Sequence, residues 1–368
     1  MSLFRRALVL TAGVATTVLG PLAPSVSASP ARPDAVYVLS NQPAANEVLV
    51  FDRADDGTLS ASGAYDTGGV GTGGGLGSQG AVVLDGAGRY LYAVNAGSGT
   101  ISSFRVGPDG LHLVDVESSG GTMPTSLTVH GELLYVLNAG DAGGISGFRV
   151  HDGDLRPMVG SARPLSGDTT APAQVSFTPD GRQLLVTERA TQLITLFNVN
   201  ARGYAMGPIP LPSAGATPFG FGFDDHDHVI VSEAFGGAAD ASAVSSYKVN
   251  RYGLPVLSAS VPTTETAACW IAVTEDGRFA YAGNAGAASI TGYRIGRDGR
   301  LTILDADGKT ASAASGVTDL AISSDGDVLY GRIGDGTVGS WAIGADGSLQ
   351  DLGAVPGLPA GAAGIAAS

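Results

Sequence analysis

Cys269 is the only cysteine among 368 residues. A disulfide needs two thiols, so cross-links are excluded and the core must hold by packing alone. Lysine is almost as scarce, with Lys248 and Lys309 the only two. The 20 Lys and Arg against 34 Asp and Glu leave a formal net charge of −14. Such a surface repels phosphate backbones and anionic lipid, so nucleic acid is not an expected partner. No apolar run is long enough to span a bilayer, which excludes membrane insertion by a helix. Helical periodicity is missing at any length. The five histidines (His112, His130, His151, His226 and His228) form no haem, quinone or recurrent metal-ligand pattern. No cofactor is expected.

What the chain does have begins at its N-terminus. Arg5 and Arg6 precede an apolar run from Ala7 to Leu19, and Val26-Ser27-Ala28 follows as a small-residue cleavage site. This is the pattern of an export leader over residues 1–28. The expectation is a secreted or extracytoplasmic protein, with residues 29–368 as one domain and the chain a monomer.

The 56 glycines serve tight turns between many short strands, because one phrase returns seven times. Its anchors are Tyr37-Val-Leu-Ser-Asn41, Tyr92-Ala-Val-Asn95, Tyr135-Val-Leu-Asn138, Leu185-Val-Thr-Glu188, Ile230-Val-Ser-Glu233, Tyr281-Ala-Gly-Asn284 and Tyr330-Gly-Arg-Ile333. They lie roughly 43 to 55 residues apart, the period of four-stranded propeller blades. The unit is clearest where Val175-Ser-Phe-Thr leads through Pro179-Asp-Gly-Arg182 into Leu184-Leu-Val-Thr, then Leu193-Ile-Thr-Leu-Phe. The predicted fold is an all-β, seven-bladed propeller of antiparallel blades.

The first unit lacks an opening strand, and the C-terminus supplies a match. Gly361-Ala-Ala-Gly-Ile-Ala-Ala-Ser368 follows Gly316-Val-Thr-Asp-Leu-Ala-Ile-Ser323 in residue type. The ring is therefore expected to close by placing the C-terminal strand in the N-terminal blade, which removes free sheet edges. This order also sorts the loops. Turns after first and third strands share one face; blade-to-blade loops and second-strand ends gather at the other, at the channel mouth.

Glu188 and Glu233 end second strands in adjacent blades, where other blades carry Asn95, Asn138 and Asn284. Two carboxylates in place of amides suggest acid–base work or ligand binding, and cross-loop hydrogen bonding is the plainer alternative. Arg189 follows Glu188 and is expected to pair with it or meet a ligand. Trp270 and Phe219, near the openings of inner strands, suit stacking on a flat or sugar-like molecule. The Gly-rich stretch 68–80, which carries Gln79, reads as a linker or as a backbone-donor loop over a ligand. Aligning inner strands gives the ring Ala81, Ser126, Gln174, Pro218, Trp270, Asp319 and Gly364. Of these, Gln174 and Asp319 are candidate ligand contacts. Asp224-Asp-His-Asp-His228 has the donors of a metal site but occupies a turn on the far face, so a solvated hairpin is favoured and no metal is expected. Cys269 reads as a packed thiol.

These strands and turns resemble the seven-bladed lactonase-type propellers, which include 6-phosphogluconolactonase and the carboxymuconate cyclases. The motifs are Tyr-Val/Ala-x-Asn, Pro179-Asp-Gly-Arg182 and the Phe-Arg-Val and Tyr-Arg-Ile third strands. Leu76-Gly-Ser-Gln-Gly80, Ala216-Thr-Pro-Phe-Gly-Phe221, Ser232-Glu-Ala-Phe-Gly-Gly237 and Thr266-Ala-Ala-Cys-Trp270 look like an exported bacterial branch. The resemblance implies an acidic residue at Glu233. The basic residues it implies at inner-strand starts are replaced by Ala173 and Gln174 in one blade, and by Thr217 and Pro218 in the next.

Two functions follow as expectations. One is hydrolysis of a lactone or cyclic ester at the channel mouth, with Glu233 as base, helped by Glu188. The other is binding without turnover of a small molecule, a cell-wall glycan or a protein. The expected partner is a lactone or carbohydrate-like ligand.

Overall fold

Alternating apolar strands separated by Gly turns have only one economical way to bury both sheet faces, which is to pack each sheet between two others. The computed structural model describes residues 34–368, and in it seven sheets do this. The expected leader, residues 1–28, lies outside the described residues. The first blade contains Ala363–Ala367, Ala35–Leu39, Glu47–Arg53 and Leu59–Asp66 in that spatial order. The C-terminal strand is thus its inner strand: Val36, Tyr37 and Val38 pair with Ala367, Ala366 and Ile365. Closure by shared termini is as expected.

The six further blades repeat the pattern in chain order. Their inner strands are Val82–Leu84, Pro124–His130, Pro172–Phe177, Pro218–Phe223, Ala268–Val273 and Val317–Ile322. Each pairs antiparallel with the second strand, which carries the anchor phrase. Among the described residues no helix is long and apolar enough to cross a membrane.

The anchor tyrosines explain why the phrase recurs. Tyr135, Tyr281 and Tyr330 are buried, and each hydroxyl donates into the next blade, to the carbonyls of Gly203, Gly347 and Gly57. The ring supplies apolar packing between sheets, and the hydroxyl caps a turn that would otherwise leave its carbonyl unpaired. The glycine is required there: Gly347 has φ 92°, and a Cβ on it would lie 2.5 Å from ring carbons of Phe279. Blades two and five use third-strand serines instead, Ser103 to Gly153 and Ser246 to Gly299.

Candidate functional site

Inner strands do not run straight at the mouth. A β-bulge interrupts the first-to-second strand pairing between Pro124 and Ser126, Pro172 and Gln174, Pro218 and Phe221, Ala268 and Trp270, and Val317 and Leu320. A bulge re-aims side chains, and this one places Thr125, Ala173, Phe219, Cys269 and Thr318 at equivalent positions. The register also corrects one member of the expected ring. Phe221 faces Val231 as Val175 faces Val186, so the residue equivalent to Gln174 is Gly220, and Pro218 lies two positions earlier. Pro218 corresponds to Pro172, since each pairs with the glutamate that ends its second strand.

Met123, Ala171, Thr217 and Ala267, the residues just before four of these strands, have φ between 46° and 59°. Left-handed backbone at non-Gly residues is strained. Here each carbonyl receives the amide that follows a second strand, from Ala139, Arg189, Ala234 and Ala285.

The Gly-rich stretch is neither a free linker nor a phosphate cradle. It enters the mouth and is fastened to both sides of the ring. The Gln79 amide N–H donates to the Ala173 carbonyl at 3.0 Å. Its side chain crosses to the sixth blade, where Nε2 donates to the Ile271 carbonyl at 2.7 Å and Oε1 accepts the Ile271 N–H at 3.1 Å. Gln174 does the same to Phe221, with Nε2 to the carbonyl at 3.0 Å and the N–H to Oε1 at 2.7 Å. Gly220 lacks a side chain, and a Cβ there would lie 2.1 Å from Gln79 Oε1. The loop therefore fills a place that the fifth blade leaves vacant. Trp270 is drawn into the same device, its indole N–H donating to the Ser78 carbonyl at 3.0 Å.

Glu188 and Glu233 stand where expected along their strands, but they do not share an opening. Both are fully buried. Glu188 accepts from the Ser166 amide at 3.1 Å, Thr191 Oγ1 at 2.8 Å, Thr195 Oγ1 at 2.6 Å and the Ser166 hydroxyl. Glu233 accepts from the Gly215 amide at 2.7 Å, Ser245 Oγ at 2.5 Å and Ser260 Oγ at 2.7 Å. Each carboxylate is enclosed by donors of its own blade and its incoming loop. Among the described residues no basic side chain lies within ion-pair distance of either, and Arg189 does not form the pair expected with Glu188.

Arg189 instead leans over the mouth. Its Nε donates to the Ala171 carbonyl at 3.0 Å, and its guanidinium lies over the Phe219 ring, 5.1 Å from the centroid. Phe219 in turn packs on Trp270, centroids 5.1 Å apart at 60°. Burial pulls the guanidinium below its usual value, and the neighbouring Cys269 opposes this. Neither terminal nitrogen has an acceptor among the described residues. The structure thus brings together Arg189, Phe219, Trp270, Gln79 and, through Ala173, Gln174. Of the two expectations for Arg189, the pairing with Glu188 is absent, and the guanidinium is left free for a ligand. Cys269 is inert, its thiol pushed up to about 12 by burial.

Asp319, on the seventh blade, lines the channel with Gln79 and Gln174; it is 1 % exposed and has φ 116°. Oδ1 accepts the Leu320 amide at 3.0 Å, while Oδ2 has no partner among the described residues. Burial raises its carboxyl to about 8, against the pull of Arg332. Below the loop the channel continues as a cavity of about 360 Å³ lined by Gln79, Gln174, Val175, Leu320 and Ile365. On the turn face, Asp224, Asp225 and His226 bring ligand atoms within 4.8 Å of one another. His228 is not in that group, because its Nδ1 is bonded to Asp224 Oδ2 at 2.6 Å.

Residues 32–162 match the family model described as Lactonase, 7-bladed beta-propeller. A putative 6-phosphogluconolactonase from Bacteroides fragilis is similar over 94% of this chain and 100% of its own, with 18% identity and a TM-score of 0.67. A second from Bacteroides uniformis covers 92% of this chain and 100% of its own, with 15% identity and a TM-score of 0.71. The periplasmic gluconolactonase of Pseudomonas aeruginosa covers 89% and 98%, with 17% identity and a TM-score of 0.67. At such identities the structures speak for the fold, and the match over residues 32–162 speaks for the family. Residues 32–162 thus carry the sequence pattern of the lactonase-type β-propellers, and the chain as a whole has their seven-bladed fold.

Proposed function

We propose that the protein binds a lactone or related cyclic ester at the channel mouth and opens it with water. The observation that carries this is Arg189, a half-buried cation over the Phe219 ring whose terminal N–H groups lack acceptors among the described residues. Such donors favour the ester carbonyl more strongly as it becomes an oxyanion, and the buried Phe219–Trp270 pair beneath holds the guanidinium in place. Glu188 and Glu233 are occupied by hydroxyl donors, so the attacking hydroxide comes from solvent. The expected pH profile of kcat/KM rises about tenfold per pH unit near neutrality, with no plateau from a carboxylate base.

The test is acid release from a panel of sugar and aliphatic lactones. Arg189→Gln should lower kcat/KM about 100-fold, the usual loss for one oxyanion donor. A wild-type protein that opens none of them, or an unimpaired variant, overturns the proposal. The saturated carboxylates favour a second reading, binding without turnover, in which lactones raise the melting temperature but are recovered intact. The leader pattern in residues 1–28 supports an extracytoplasmic location, which N-terminal sequencing of protein from the culture medium would test.

A further inference from the structure

On the face opposite the mouth, a pocket of about 690 Å³ opens between the third, fourth and fifth blades. Its walls are the turns 178–183 and 198–203 of the fourth blade, Leu133 and Arg149 of the third, and Asp227 with residues 249–251 of the fifth. Gln183 forms its buried wall at 7% exposure. Its Nε2 donates to Asn198 Oδ1 at 3.1 Å and to the Asn250 carbonyl at 3.2 Å. Its Oε1 receives no donor among the described residues, which leaves an oriented acceptor in the pocket wall.

Donors stand near it. Arg149 is held by one nitrogen on the Arg202 carbonyl at 2.8 Å, and Arg251 lies over the Tyr252 ring at 4.5 Å. Neither has an ion-pair partner among the described residues. Tyr252, next in the chain to the lining residue Arg251, is 74% exposed, so its ring face away from Arg251 is open. Asp227 adds a carboxylate acceptor whose neighbour is Lys248 at 3.6 Å.

We infer that this interblade pocket is a saccharide-binding site, separate from the mouth. A sugar hydroxyl both donates and accepts, so it suits a wall where Gln183 Oε1 and Asp227 accept while Arg149 and Arg251 donate. The C–H face of a pyranose suits the open side of Tyr252. The volume is in the range of small-ligand pockets and admits a disaccharide. Arg149, Arg182 and Arg251 line the pocket with Asp180 and Asp227, so an acidic sugar is admitted as well as a neutral one, and inorganic phosphate is the competitor to exclude. A purely apolar ligand would leave the amides unpaired.

The experiment titrates full-length protein with cellobiose, N,N′-diacetylchitobiose and digalacturonate, read by calorimetry and by thermal shift. Saturable binding of at least one is expected. Arg251→Ala and Tyr252→Ala should each weaken it about tenfold or more, and Arg189→Gln should leave it unchanged. Tyr252 is exposed, and an unchanged melting temperature without ligand will show that its variant folds. The neutral and acidic sugars separate recognition of hydroxyls from recognition of a carboxylate. Failure of all three at tens of millimolar, binding untouched by both variants, or inorganic phosphate outcompeting the sugars overturns the site. None of these results bears on lactone opening, which Arg189→Gln reads separately.

Discussion

Two kinds of buried carboxylate sit around one ring, and they differ in what their neighbours supply. Glu233 is enclosed by three donors, the Gly215 amide and the hydroxyls of Ser245 and Ser260. Asp319 has one amide on Oδ1 and no partner among the described residues on Oδ2. Burial costs a charge heavily unless hydrogen bonds replace water, so the first is a stabilising fixture and the second a liability.

The asparagine blades show how the fixture arose. Asn95 donates its amide to Thr100 at 3.1 Å and Ser102 at 2.8 Å, and Ser102 passes its own proton to the Thr67 carbonyl at 2.6 Å. Asn284 does likewise to Ser289 and Thr291, and Thr291 donates to the Gly308 carbonyl at 2.7 Å. In the glutamate blades the equivalent hydroxyls, on Thr195 and Ser245, donate to the carboxylate instead. The hydroxyl reverses its role, and the longer side chain takes the place of a backbone carbonyl.

Glu233→Ala gives the largest expected effect. It strands three buried donors and should cost about 3 kcal/mol or more of unfolding free energy, measured by urea denaturation. Glu233→Gln keeps the shape but sets an amide donor among hydroxyls that must turn round, at about 1–2 kcal/mol. If Glu233→Gln abolishes lactone opening and leaves the melting temperature unmoved, Glu233 acts on substrate and the comparison breaks.

The smallest effect should have the opposite sign. Asp319 titrates at about 8 in the folded chain, raised by burial from 3.8. Between those values the folded state holds a proton that the unfolded state has released, so stability falls as pH rises through that window and levels off above it. Asp319→Asn removes the titration and should stabilise the protein by about 1–2 kcal/mol at pH 8. The gain should shrink to nothing near pH 4. Melting curves across this range check it, and a gain independent of pH would mean that Asp319 is already ionised at low pH.

Much of this ring was legible beforehand. The anchor spacing marks seven blades because each strand's apolar alternation is local, and the likeness of residues 361–368 to 316–323 marks closure. The site was legible only in part. Arg189, Phe219, Trp270, Gln79 and Gln174 were named from the sequence, but the enclosure of Glu233 was not legible, because Ser260 lies 27 residues from it and no local pattern announces the contact. Gly220 in place of Pro218 was legible too, since Pro172 and Pro218 stand two residues before Gln174 and Gly220.

The sequence by itself determined the blade number, the strand order and the joining of the two chain ends, since alternation and turn chemistry act over a few residues. Tertiary structure alone decided which polar groups are spent and which are free. Gln79 meets Ile271 across 192 residues, and whether a side chain keeps a free hydrogen bond depends on partners that only ring closure brings near.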